Sequence, residues 1–214
     1  MAKHKKKSAV YAQNLSHELL TPLAVIRSKV ELLLQSPNLD QEDLKSLDDI
    51  LRNVKRMRSL NQALIQLSKI DNEVYEDREA VNIQSLTEEI LDNFEDQIRF
   101  KELKVRVIGE INKPIKTNKN LMNLLVLNLI KNAVMHNKTG GELIIELKDN
   151  AYLIKNSLDP KHPVPKKPFK RFNSSKSESL GLGLSIVKST LDYLRLDYDL
   201  NTDENWFVFS VSLQ

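Results

Sequence analysis

The sequence has no cysteine, and its 214 residues include only five glycines, seven prolines and 6% aromatic side chains. The lack of cysteine excludes disulfide bonds, thiolate-bound zinc and a cysteine nucleophile. No apolar run approaches the roughly 20 residues that span a bilayer, and the first residues do not resemble a signal peptide. We therefore expect a soluble chain of one large or two small domains, whose chemistry depends on other residue types.

The positive charge is concentrated at the beginning of the chain. The formal net charge is +3, and the four lysines of residues 1–8 contribute +4, so the remainder is slightly negative. Because nucleic-acid binding needs an extended basic surface, we expect no nucleic-acid partner. We interpret residues 1–8 either as a disordered tail or as the flank of a membrane helix that this sequence does not contain.

Residues 9–70 predict a helical hairpin. Apolar side chains recur at spacings of three and four along two segments, Leu15–Leu33 and Leu44–Leu67, as they do on one face of a helix. A Ser-Pro-Asn segment separates the two stretches. Asp40, followed three residues later by Asp43, predicts an N-terminal cap for the second helix.

A lone hairpin of about 60 residues buries too little apolar surface to be stable, whereas two copies can share the core of a four-helix bundle. We therefore expect a homodimer, with a seam that contains Ile26, Val30, Leu51 and Val54. The alternative is that the hairpin packs against the rest of its own chain.

A charged linker is predicted at residues 71–80, and mixed strands and helices follow in residues 81–214. The predicted elements are a strand at Val81–Ile83, a helix from a capping box at Ser85–Glu88 to Phe100, a strand at Val105–Ile108, a helix from Asn118 to Met135, a hairpin of Glu142–Lys148 and Ala151–Asn156, a helix from Leu182 to Leu194 and a strand at Trp206–Leu213. The polar segment 158–179 contains four prolines and is too long for an ordinary connection, so it is either functional or disordered.

His17 is predicted to face solvent. At about 100° per residue it lies about 200° around the helix from Leu15, while Thr21 shares its face and Glu18 is adjacent. Pro22 cannot donate to the carbonyl of Glu18, which predicts a bend. A solvent-facing histidine beside an acid suits a nucleophile, although most single surface histidines carry no chemistry.

Two further groups suit a phosphate ligand. Asn128 and Asn132 share one face of an apolar helix, where their carboxamides could serve Mg²⁺ and phosphate oxygens or could cap neighbouring backbone. Gly181–Leu184 precedes a helix, and glycines there let backbone N–H groups approach phosphate, although such segments also occur in plain turns.

In this order, the segments resemble the signature boxes of bacterial two-component sensor histidine kinases over nearly the whole chain. The matching segments are Ser-His-Glu-Leu-Leu-Thr-Pro-Leu at 16–23 for the phosphoacceptor box, 128–137 for the asparagine box, Phe-Lys-Arg-Phe at 169–172 for the phenylalanine box and Gly-Leu-Gly-Leu at 181–184 for the second glycine box. The resemblance implies an α+β fold, in which a dimerising helical hairpin precedes an α/β sandwich ATP-binding domain of the GHKL type. We divide the chain into a tail (1–8), a dimerisation and histidine phosphotransfer hairpin (9–70), a linker (71–80) and a catalytic ATP-binding domain (81–214).

The resemblance also implies roles for individual residues. His17 would be phosphorylated, Glu18 would orient or deprotonate it, and Thr21 would help to position water during dephosphorylation of a partner. An ATP lid would extend over residues 158–179. The nucleotide site would contain Asn128, Lys131, Asn132, His136, Asn156, Phe169, Arg171, Phe172, Gly181, Leu182, Gly183 and Leu184, with Asn132 also a ligand of Mg²⁺.

The implied activity is an ATP-dependent histidine autokinase that passes its phosphoryl group to an aspartate in the receiver domain of a response regulator, with phosphatase activity as an addition. The implied location is the cytoplasmic side of an inner-membrane sensor, attached through a segment outside this sequence. ATPases that share the nucleotide fold, such as chaperones and DNA-repair proteins, lack the histidine helix upstream.

The chain departs from the family pattern in the first glycine box and at one lysine. Asn156 stands where an aspartate reads the adenine amine, Leu158 replaces a glycine and Met135 replaces a frequent lysine. The Asn156 oxygen can still accept a hydrogen bond, and a similar asparagine form recurs in compact sensor kinases, so we interpret the box as a variant. The alternative is a non-catalytic dimeric scaffold with a degraded nucleotide site.

Overall fold

The computed structural model describes residues 2–72, 75, 77–111, 113–148, 150–159, 164, 166–170 and 181–213, and for residues 2–17 it describes only the backbone. The chain divides into two compact units, Met1–Val74 and Tyr75–Gln214. None of the helices in the described stretches has an apolar segment long enough to cross a bilayer.

The first unit is the predicted hairpin, in which α1 (Ala2–Leu33) packs against α2 (Gln41–Asp71). The predicted cap is confirmed: the Asp40 carboxylate accepts a hydrogen bond from the Asp43 backbone N–H at 2.8 Å, and the Asp43 carboxylate accepts one from the Asp40 N–H at 3.3 Å. Pro22 lies inside α1. The polar segment between the helices therefore ends one helix and caps the next.

Only some of the apolar positions of the hairpin are buried within it. Val30 and Val54, two of the four residues predicted for a dimer seam, are already buried in the single chain, at 5% and 7% exposed. Among the exposed large apolar side chains are two sets spaced seven residues apart, which we call the heptad stripes: Leu19, Ile26 and Leu33 on α1, and Ile50, Met57 and Leu64 on α2. A seven-residue spacing keeps such side chains on one side of a helix.

The second unit is a two-layer α/β sandwich. Its elements are β1 (Glu79–Val81), α3 (Ile83–Asp92), α4 (Glu95–Phe100), β2 (Lys104–Gly109), β3 (Ile115–Thr117), α5 (Lys119–Met135), β4 (Glu142–Lys148), β5 (Ala151–Ser157), α6 (Gly183–Leu194), β6 (Tyr198–Thr202) and β7 (Trp206–Ser212). The main sheet has the order β2-β4-β5-β7-β6, with β2 parallel to β4 and the other neighbours antiparallel. β1 and β3 form a separate antiparallel pair.

The core lies between the main sheet and its helices. Leu143, Ile154 and Phe209, on three adjacent strands, are at most 2% exposed, and α5 carries nine buried apolar residues. α5 packs against both β5 and α6. Because side chains alternate along a strand, Asn156 faces the same layer as Ile154.

The start of the second unit corrects two predictions. The strand predicted at 81–83 ends at Val81, because Ile83 already begins α3. The cap is Asn82 and not the predicted Ser85, since the Asn82 carboxamide oxygen accepts a hydrogen bond from the Ser85 N–H at 3.0 Å.

The helix predicted to reach Phe100 is in fact two helices. α3 ends at Asp92, and Phe94, which separates it from α4, packs against the core. β3 and β6 were not predicted, because β3 has three residues and the sequence of β6, Tyr-Asp-Leu-Asn-Thr, is largely polar. The predicted hairpin, the helix after Asn118, the last helix and the last strand are all present.

Candidate active site

The phosphoacceptor box lies on α1. The backbone of His17 is helical, and its side chain lies outside the described residues. Glu18 and Thr21 are exposed, whereas Leu23 is buried. Residues four apart share a helix face, so His17 and Thr21 lie on the same side of α1.

The asparagine box occupies the second half of α5. Asn128 is half-buried, and its Nδ2 donates to the Leu124 carbonyl at 2.7 Å, which orients the carboxamide. Its Oδ1 faces the start of α6: a Cβ atom added to Gly183 would lie 3.7 Å from this oxygen. Two segments that the sequence separates by more than fifty residues therefore meet at the contact between α5 and α6.

The other predicted residues of α5 differ in their exposure. Asn132 is half-buried, and among the described residues its carboxamide forms no hydrogen bond. Lys131 and Met135 are exposed. His136 is half-buried and caps the helix, with its backbone N–H donating to the Asn132 carbonyl at 2.9 Å.

Asn137, at the end of the asparagine box, ties the end of α5 to the sheet. It is 2% exposed, and its Nδ2 donates to the Glu142 carbonyl at 3.0 Å. Asn137 also forms a β-bridge with Leu158, just beyond β5. These contacts were not predicted from the sequence, because they depend on the turn between α5 and β4.

The second glycine box forms the start of α6. Gly181 has φ of 63°, a conformation that favours glycine, and Gly183 is the first helical residue. The Leu182 side chain is 2% exposed, and Leu184 packs against the core. The first turn contains no acidic residue, and no side chain caps its N–H groups within the described part of the chain. Such a helix end is suited to bind an anion.

Asn156 is placed at the end of β5 and is 2% exposed. Its register partners are Leu143 on β4 and Phe207 on β7. The Nδ2 group donates to the Ser157 carbonyl at 3.2 Å, so the Oδ1 atom is the part of the carboxamide that can accept a further hydrogen bond.

Phe169 is the described aromatic residue of the phenylalanine box. Its ring packs edge-on against Tyr198 and Phe209, with centroid separations of 5.4 and 6.3 Å, and none of the described contacts brings it to Asn128. Arg171 and Phe172 lie outside the described residues, as does most of the predicted lid.

A protein-family model described as the His Kinase A (phospho-acceptor) domain matches residues 10–73. The sensor protein CiaH of Streptococcus pneumoniae is 29% identical over 202 residues, which are 89% of this chain and 45% of CiaH. The sensor histidine kinase HprS of Escherichia coli is 28% identical over 188 residues, which are 84% of this chain and 41% of HprS. The chain thus spans less than half the length of these relatives.

Solved structures show the same fold. The histidine kinase AdeS of Acinetobacter baumannii superposes with a TM-score of 0.61 at 19% identity, over 92% of this chain and 97% of that one. Full-length ShkA, solved in complex with AMPPNP, gives a TM-score of 0.69 at 16% identity, over 97% of this chain and 47% of ShkA. The catalytic domain of the histidine kinase ThkA superposes with a TM-score of 0.51 at 20% identity, over 64% of this chain and 97% of that domain.

Both units of the chain resemble parts of sensor histidine kinases. The family model lies on the hairpin, the fold of the second unit matches a histidine kinase catalytic domain, and the relatives extend over most of the chain. Residues 10–73 match the His Kinase A (phospho-acceptor) domain, and the chain is similar to sensor histidine kinases over most of its length.

Proposed function

We propose that the protein transfers the γ-phosphoryl group of ATP to His17. The single observation that best supports a nucleotide site is the approach of Asn128 Oδ1 to Gly183. It brings a carboxamide oxygen close to the start of α6, where no described side chain caps the backbone N–H groups. The complex of ShkA with AMPPNP supports ATP as the ligand.

The start of α6 would bind the phosphates. Its backbone N–H groups carry the partial positive charge of a helix N-terminus, and Gly183 leaves room for close approach. Asn128 and Asn132 would supply carboxamide oxygens on the facing helix. Bound Mg²⁺, which prefers oxygen ligands, would be held by Asn132 and phosphate oxygens and would neutralise phosphate charge.

His17 would act as the nucleophile in an in-line displacement. A nitrogen–phosphorus bond forms, the bond from the γ-phosphorus to its bridging oxygen breaks, and ADP leaves with that electron pair. The attacking nitrogen must be unprotonated. Glu18, which is exposed beside it, would accept the N–H of the other ring nitrogen and stabilise the positive charge that develops on the ring.

The heptad stripes support a homodimer. Six large apolar side chains that recur every seven residues remain exposed on the hairpin, and a second copy would cover them in a four-helix bundle. Apolar surface in this pattern stabilises helix association in water.

Phosphohistidine is a high-energy intermediate, so we propose an aspartate in the receiver domain of a response regulator as its acceptor. Thr21 is exposed four residues after His17, a position from which it could align water for dephosphorylation of that partner. CiaH and HprS are named as sensor proteins, and we infer that this chain is the cytoplasmic part of a membrane-attached sensor.

The test is autophosphorylation with [γ-³²P]ATP. We expect acid-labile, alkali-stable label on the wild type and none on His17→Gln, while ATP binding is retained. His4→Gln, in the basic tail, is the matched control and should label normally. Label that persists on His17→Gln would contradict the assignment.

A second function is favoured by one observation. Asn156 is neutral where the family pattern has an aspartate, so it is a weaker acceptor for the adenine amine than a carboxylate. A dimeric scaffold without nucleotide would have these properties too. Absence of ATP binding by the wild type would favour the scaffold over the kinase.

A further inference from the structure

The C-terminal end of α5 is held by a lysine from a distant part of the chain. Lys101 Nζ donates to the backbone carbonyls of Val134, Met135 and Asn137, at 3.0, 2.7 and 3.1 Å. Lys101 follows α4 directly, 33 positions before the first of these acceptors. An ammonium group has three N–H donors, so it can donate to all three carbonyls.

The need for this cation follows from the composition of α5. The last carbonyls of a helix lack partners within it and carry partial negative charge. α5 has no basic residue in its own last turn. Lys101 is half-buried and supplies both the missing donors and the missing charge.

Backbone hydrogen bonds also link the segment after α4 to the turn after α5. The Gly140 N–H donates to the Lys101 carbonyl at 2.8 Å, and the Lys104 N–H donates to the Gly141 carbonyl at 2.9 Å. Gly141 also leaves space for Asn137, since a Cβ atom there would lie 2.3 Å from Asn137 Oδ1. The connection after α4 therefore holds the turn after α5 through main chain and side chain together.

We propose that Lys101 is a positioning residue for the nucleotide site. Asn132 and His136 lie in the last turn of α5 and at its cap, the part whose carbonyls Lys101 binds. Asn137, whose carbonyl accepts from Lys101, also forms a β-bridge with Leu158, which lies two residues after Asn156. Lys101 thus sets the position of residues on both sides of the site. This inference rests on the nucleotide-binding role proposed for α5.

The decisive variants change the donors of Lys101 while keeping its apolar stem. Lys101→Met removes the charge and all three hydrogen bonds. Lys101→Arg keeps the charge but spreads its donors over a planar fork, which cannot reproduce three bonds from one nitrogen. Lys104→Met is the control, because Lys104 is exposed and only its backbone takes part in the attachment.

Two measurements should be made on each protein. The first is the affinity for an ATP analogue with Mg²⁺, measured by calorimetry below the melting temperature of the variant. The second is the NMR chemical shift of the Asn132 carboxamide and of the His136 backbone amide, measured without nucleotide. We expect about tenfold weaker binding for Lys101→Met, an intermediate loss for Lys101→Arg and a change below about twofold for Lys104→Met. Lys101→Met should also shift both resonances, whereas a role confined to stability would lower only the melting temperature.

Binding by folded Lys101→Met within about twofold of wild type would overturn the proposal. If Lys101→Met does not fold, Lys101→Arg decides, and wild-type affinity in that variant would overturn it equally. If the wild type binds no nucleotide, the proposed function fails. The NMR shifts of Asn132 and His136 then test whether Lys101 positions the end of α5. Shifts in the Lys101 variant and not in Lys104→Met would support the positioning role, and unchanged shifts would refute it.

Discussion

Gly183 lies opposite Asn128 across the contact between α5 and α6, and a Cβ atom at position 183 would be 3.7 Å from Asn128 Oδ1. That distance is an ordinary van der Waals contact, and the φ of Gly183 is not positive. Neither the neighbouring atoms nor the backbone conformation therefore requires glycine at position 183. The proposed phosphate site gives Gly183 a role that substitution can test.

This relationship predicts opposite effects of Gly183→Ala on stability and on binding. The variant should be as stable as the wild type or more stable by up to about 1 kcal/mol, because alanine favours a helix more than glycine does. Its affinity for an ATP analogue should fall, since the methyl group occupies the approach to the α6 N–H groups. Thermal melting and calorimetry measure the two effects.

Gly140→Ala provides the comparison for stability. Gly140 has φ of 67° and no neighbouring atoms within 4 Å of an added Cβ, so alanine should lower the melting temperature through backbone strain alone. Wild-type nucleotide affinity in Gly183→Ala would show that the space beside Asn128 has no role in binding.

A second prediction concerns the heptad stripes. Ile26→Asp together with Met57→Asp should convert a dimer to a monomer, because burial of unpaired carboxylates costs several kcal/mol, roughly. Val25→Asp is a matched control: Val25 is next to Ile26 and is 54% exposed, but it lies outside the stripes. Light scattering reports the mass of each variant, and a monomeric wild type would refute the proposed dimer.

The sequence predicted those elements whose signal is local. The hairpin follows from apolar spacing within each helix, and the cap at Asp40 follows from residues three positions apart. The strand and cap near Asn82 were misplaced because Asn82 and Ser85 are both good cap residues, and local sequence does not choose between them. β6 was not predicted, because it is an edge strand whose exposed residues are polar.

For the proposed site, the sequence was informative about residue types and not about contacts. Asn128 and Gly183 stand in recognisable boxes, so their residue types were informative before their contact was known. Lys101 could not be found in this way, because its three acceptors are backbone carbonyls at least 33 positions away. Backbone atoms carry no sequence signal, and only the tertiary fold brings them to a side chain.

A third prediction tests the metal ligand proposed at Asn132. Asn132→Asp should retain the fold, because the side chain is half-buried and forms no hydrogen bond with the described residues. A carboxylate could still bind Mg²⁺ but would repel the phosphates, so phosphoryl transfer should fall by orders of magnitude. The rate of ³²P incorporation measures this effect, and an unchanged rate would argue against the role.

The last prediction concerns base specificity at Asn156. Its Nδ2 is bonded to the Ser157 carbonyl, which leaves Oδ1 as an acceptor, and the residue is 2% exposed. An acceptor there matches the amine at position six of adenine and opposes the carbonyl oxygen of guanine. A mismatched buried hydrogen bond costs about 1–3 kcal/mol, so ATP should bind roughly ten- to hundredfold more tightly than GTP.

Three substitutions test this preference by calorimetry with ATP and GTP analogues and Mg²⁺. Asn156→Asp should keep or increase the preference for ATP, because a carboxylate only accepts hydrogen bonds, whereas Asn156→Leu should remove most binding. Asn120→Asp, at an exposed position in the first turn of α5, adds the same charge without removing a described hydrogen bond and should change neither affinity. Equal affinities of the wild type for ATP and GTP would refute the role of Asn156. No binding of either nucleotide at millimolar concentration would instead favour the scaffold, because a kinase must hold ATP before His17 can attack it.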